Sequence, residues 1–173
     1  LSSFTGAPGT IVKEAVKKVE KTYISGVAQD KNVARLARVG LRDEPGVAYK
    51  VFNLLAREKI NVDLILQSIG RADSKDISFT VASSVADQAY KIIKDNQDAL
   101  GYDHVDINQD VAKVSVVGGM VDNPGVAATV FEALYEAHIN IMMISTSEIK
   151  VSVLINEEDT DRAVSAIHAK FFQ

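Results

Sequence analysis

The chain has 173 residues, of which 47% are hydrophobic and 24% charged, a balance that suits one mid-sized folded domain or two small ones and excludes an unfolded chain. It has no cysteine, so disulfides, thiolate metal sites and cysteine nucleophiles are excluded; no apolar run is long enough for a bilayer and no signal-peptide pattern is present, so no membrane is expected and the expected address is cytoplasmic. With 19 basic and 23 acidic side chains the net charge is -4, the wrong sign for a surface that neutralises phosphates, and no nucleic acid is expected as a partner.

In chain order, Gly6, Pro8 and Gly9 precede Thr10 to Lys21, where Ile11, Val12, Ala15, Val16 and Val19 share a helical face, and residues 1–22 read as a tail with a linker helix. Tyr23 to Gln29 is a spare strand, and Ala34 to Leu41 is the next one. Pro45-Gly46 then opens a helix, with proline at the first helical position, where no hydrogen bond is lost. Val47, Ala48, Val51, Phe52 and Leu55 form one stripe of a 3.6-residue period. Val62 to Ile69 and Ile77 to Ala82 read as a strand hairpin across a polar loop, Val85 to Ile93 as a second helix, and His104 to Gln109 as a short closing strand.

The second half repeats the first. Between Asp43–Ser68 and Asp122–Ser147, at a constant offset of 79, 12 of 26 positions are identical, among them Pro45/Pro124, Gly46/Gly125, Val51/Val130, Leu55/Leu134, Asn61/Asn140 and Ile65/Ile144. Each unit of about 75 residues runs βαββαβ, the order of a two-layer α+β sandwich in which both helices cover one face of an antiparallel sheet, the ferredoxin-like arrangement. Residues 23–109 form the first unit and 110–173 the second. The second unit ends at Gln173 without a fourth strand; Tyr23 to Gln29 can fill that gap by strand exchange, or can hairpin with Ala34 to Leu41. Strands apolar on both faces also point to a homodimer.

Two groups of residues could hold a small molecule. In Asp43-Glu44-Pro45-Gly46 the helix start leaves the backbone N–H groups of Gly46, Val47 and Ala48 without intrahelical partners, a setting that attracts a carboxylate. Asp43 equally suits a capping role. Asn61-Val62-Asp63 opens the next strand, where alternation places Asp63 and Gln67 on one face, either as an exposed sheet face or as acceptors for an ammonium. An anion site beside a carboxylate would receive a zwitterion, of which a free amino acid is the simplest. No metal and no cofactor are expected: His104, His138 and His168 lack ligand spacing, and Gly118-Gly119 lacks a phosphate-loop pattern. No catalytic constellation is evident, so the chain is not expected to be an enzyme on its own.

With glycine at the turn into each first helix, Gly46 and Gly125, the sequence resembles a tandem pair of ACT domains, the small-molecule sensor modules of amino-acid metabolism. Ile24-Ser25-Gly26-Val27-Ala28, Asp43-Glu44-Pro45-Gly46-Val47-Ala48, Asn61-Val62-Asp63 and Ile144-Ser145-Thr146-Ser147-Glu148-Ile149 resemble in particular the regulatory region of the aspartate kinases. The resemblance implies feedback control by threonine, lysine or both, bound between ACT units of a homodimer, with the catalytic domain or alpha subunit as partner. It implies a site of Asp43, Gly46, Val47, Ala48, Asn61, Val62, Asp63 and Gln67, completed by Met120, Val121, Val126, Ala127, Asn140 and Ile141 of a second unit. Met142 stands where the family often has a polar residue, which argues against an equivalent site near Asn140. The alternative is an ACT regulatory subunit of another biosynthetic enzyme, such as acetolactate synthase.

Overall fold

A computed structural model describes residues 24–42, 44–69, 74–120 and 124–172. The first unit runs β2 (Ala34–Arg42), α1 (Val47–Arg57), β3 (Ile65–Ile69), β4 (Ser74–Val81), α2 (Ala86–Asp95), the one-turn α3 (Gln97–Leu100) and β5 (His104–Asn108), and the second runs β6 (Val111–Gly118), α4 (Val126–Glu136), β7 (Met143–Thr146), β8 (Lys150–Asn156) and α5 (Thr160–Phe172); β1 (Ile24–Asp30) precedes both. The expected linker helix, Thr10 to Lys21, lies outside the described residues.

Two four-stranded antiparallel sheets result, ordered β3-β4-β2-β5 and β1-β6-β8-β7. Strand exchange therefore decides between the two placements of the spare strand: β1 pairs along β6, from Ile24 opposite Gly118 to Asp30 opposite Lys113. The physical reason is the second unit's missing edge. Without β1, the outer N–H and C=O groups of β6 would lie unpaired, and Ile24 and Val27 would lose the apolar cluster they now pack against.

Each unit buries one core between its sheet and its helices. In the first, Leu36, Ile77 and Phe79 from the sheet meet Val51, Leu55, Ala89 and Ile93 from α1 and α2; in the second, Val116, Val153 and Ile155 meet Val130, Leu134, Ala163 and Ile167. A third, smaller cluster of Val33, Leu64, Val111, Met143 and Leu154 joins the units. It uses apolar side chains from the strand faces turned away from the helices, so part of the surface that suggested a second copy is covered within the chain.

Two local readings need correction. The first helix starts at Val47, not at proline, because Gly46 as N-cap takes φ 92°, a left-handed conformation that no helical residue adopts. The hairpin strand expected from Ile77 begins at Ser74, and the regular part of its partner begins at Ile65 instead of Val62, although Asp63 N–H to the Thr80 carbonyl and Thr80 N–H to the Leu64 carbonyl, both 3.0 Å, extend the pairing.

Candidate functional site

The chain between β2 and α1 is a short bridge ending on Gly46, and the left-handed turn there lets α1 present its first N–H groups to the open edge of the sheet. A Cβ on Gly46 would meet no atom within 4 Å, so glycine serves the backbone angle and leaves the space in front of the helix open. That space is a cavity of about 210 Å³, room for roughly seven waters, lined by Glu44, Pro45, Gly46, Val47 and Ala48 on one side and by Gln67, Lys75 and Ile77 on the other. Antiparallel pairing explains the far wall: Gln67 lies opposite Ile77 and both turn toward the helix layer, as does Lys75 opposite Leu41. Helix N–H groups and the Lys75 ammonium favour a carboxylate, and the Glu44 carboxylate supplies the opposite charge.

Of the expected residues, Gly46, Val47, Ala48 and Gln67 come together here. Asp43 lies outside the described residues. Glu44, Lys75 and Ile77 were missed, although the two-residue period running back from Phe79 already places Lys75 and Ile77 on one face.

Asn61, Val62 and Asp63 line a different cavity, of about 300 Å³, together with Asp30, Asn32, Val33, Thr80, Val81, Ala82 and Lys113. The ammonium expected opposite Asp63 comes from the chain itself. Lys113 on β6 donates to the Asp63 carboxylate and lies 3.5 Å from Asp30. Burial lowers the pKa of Lys113, yet the two carboxylates outweigh it and hold the net value above the usual 10.5. This tether joins the start of β3 to the second unit's sheet, and no local pattern signals it because the two residues are 50 positions apart.

Of the residues expected from a second unit, none of the described ones lines the first cavity within one chain. Val126 is buried in the second core, while Met120, Ala127 and Ile141 pack against that core. Asn140 is exposed, and Val121 lies outside the described residues. Among the described residues no group of three or more acidic or histidine side chains could hold a metal ion, and no helix is long and apolar enough to cross a membrane.

The sequence profile of the ACT domain matches residues 37–97 and 114–171, one match in each unit. The chain belongs to the ACT-domain family. The aspartokinases of Mycolicibacterium smegmatis and Helicobacter pylori are 42% and 40% identical to it over 175 residues, which cover 98% of this chain and 42% and 43% of theirs. The chain thus spans about two-fifths of the length of these curated relatives. Among solved structures, aspartokinase alpha and beta subunits superpose with a TM-score of 0.83 at 43% identity over 87% of this chain and 100% of that one. The ligand-free regulatory subunit of aspartate kinase from Thermus thermophilus gives 0.81 at 36% identity over 86% and 98%. This tandem ACT chain is therefore of the aspartokinase regulatory type, and the comparisons do not favour the synthase-subunit alternative.

Proposed function

We propose that this ACT pair is the effector-sensing part of an aspartokinase, binding threonine, lysine or both and passing the occupancy to a catalytic domain or alpha subunit as feedback inhibition. The cavity at the start of α1 carries the reading: the positive end of the helix and the Lys75 ammonium suit the effector's carboxylate, and the carboxylate of Glu44, with Asp43 next to it in sequence, suits its ammonium. Gln67 and Ile77 would border the side chain. The ligand shifts an equilibrium between states of the whole enzyme by its differential affinity for them. In this reading a homodimer brings Met120, Val121, Val126, Ala127, Asn140 and Ile141 of a second copy toward the first unit's cavity, and the protein works in the cytoplasm.

Calorimetry of the purified chain tests it. Threonine or lysine should give saturable binding and aspartate none; absence of heat from both would remove the reading. Asp63→Ala then defines the extent of the site. Loss of binding includes Asp63, with Lys113 displaced from it by the ligand, whereas unchanged binding restricts Asp63 to the tether between units.

A further inference from the structure

We infer that Asp76 is a positioning residue for the effector cavity, acting through the amide of Gly40; the inference rests on the functional reading above. Between Arg38, opposite Ile77, and Leu41, opposite Lys75, β2 gains one residue over β4, which makes a bulge. Gly40 lies in that bulge at φ 77°, and its N–H donates to the Asp76 carboxylate at 3.0 Å. A side chain at Gly40 would be strained and would have to displace Asp103. A Cβ there would lie 2.1 Å from the Asp103 carboxylate oxygen, in addition to the strain of the left-handed angle.

A bulge re-aims the strand beyond it, and a slip of one residue turns every later side chain to the opposite face. Here the bulge turns Leu41 fully into the core opposite Lys75, which lines the cavity, and it delivers the chain to Glu44–Ala48 only three residues later. The second unit shows that the device belongs to the first. There β6 pairs with β8 without a register shift from Val111 to Val117, and the Gly118 N–H donates to a backbone carbonyl, that of Ile149, at 2.9 Å. Among the described residues, a carboxylate side chain takes the amide at this point of the path in the first unit and a backbone carbonyl takes it in the second.

The test compares Asp76→Ala with Asp76→Asn in the intact chain. Asparagine removes the charge and keeps an acceptor oxygen, so it should retain wild-type behaviour. In Asp76→Ala, hydrogen exchange at the Gly40 amide should speed up roughly tenfold and the amide resonances of residues 44–48 should move, both without ligand. Affinity for threonine or lysine should fall roughly tenfold, the loss of about one good hydrogen bond. If Asp76→Ala does not fold, Asp76→Ser supplies the same readouts. Wild-type exchange at Gly40 and wild-type affinity in the alanine variant would overturn the assignment, and so would an asparagine variant as impaired as alanine, which would make the effect one of charge. If the wild-type chain binds neither amino acid, the functional reading fails, while the exchange and resonance data on the unliganded protein still decide what Asp76 does.

Discussion

The two units have the same core and different doorways. Leu55 and Leu134, at equivalent positions, are both fully buried, as are Val51 and Val130 at 0% and 1% exposure. At the first turn of the leading helix the likeness ends: Gly46 takes φ 92° and Val47 is half-buried, whereas Gly125 takes φ -86° and Val126 is 3% exposed. Gln67 is matched by Thr146 and Asp63 by Met142. Duplication has kept the residues that pack helix on sheet and changed those at the mouth: the first copy has a cavity in front of its helix start, whereas the second turns the valine at that position into its own core.

The sharpest way to break this contrast is to add a methyl group at each glycine. Gly46→Ala forces a left-handed backbone on a residue with a Cβ and should cost about 1–2 kcal/mol, together with loss of effector binding. Gly125→Ala, at an ordinary helical angle, should change stability by less than about 0.5 kcal/mol and leave binding intact. Urea unfolding and calorimetry on the two variants check this. Equal costs at both positions would mean that the two turns do not differ in solution.

Between the units, Lys113 provides the next test. Its side chain is 17% exposed while that of Asp63 is 44% exposed, so solvent screens the pair and Lys113→Met should cost about 1 kcal/mol. The folded-state pKa of Lys113 is raised above its unfolded value of 10.5. Its contribution is therefore complete below that value and is lost as pH rises through the higher folded-state pKa. Thermal midpoints of wild type and Lys113→Met should differ at pH 8 and converge at the alkaline end; a constant difference would show that the methionine disturbs packing instead of removing the charge.

The scaffold was legible because it repeats. Apolar stripes at helical spacing, seen twice, fixed both helix layers, and the missing last strand of the second unit made β1 a candidate to fill it. The choice between exchange and hairpin depended on pairing energy across some 90 positions, which local pattern does not encode. At the site, Gly46 and Gln67 were legible from helix-start and strand-alternation rules. Lys113 was not, because its partnership with Asp63 arises from the packing of one unit on the other, and Asp76 was not, because a bulge is an extra residue in a pairing that a single strand's sequence does not display. The rule that put Pro45 at the first helical position failed for a specific reason: the glycine after it was needed for a left-handed angle.

Where the units agree most closely, the effect should be smallest and the same in both. Helices α1 and α4 end alike. Lys59 and His138 take φ 57° and 54°, the N–H groups of Ile60 and Ile139 donate to the carbonyls of Leu55 and Leu134 at 3.0 and 2.9 Å, and those of Lys59 and His138 reach Ala56 and Tyr135 at 3.0 Å. These are the paired bonds of a helix terminus that ordinarily has glycine at the left-handed position. Both side chains are exposed, so little packing is lost on removing them. Lys59→Gly and His138→Gly should each stabilise the chain by about 0.5–1 kcal/mol, the relief of Cβ strain less the added freedom of the unfolded glycine. The residues share no partner and belong to separate cores, so the double variant should show the sum of the two gains. A gain at one terminus alone would mean that the copies had diverged at both ends of this helix and not only at its mouth.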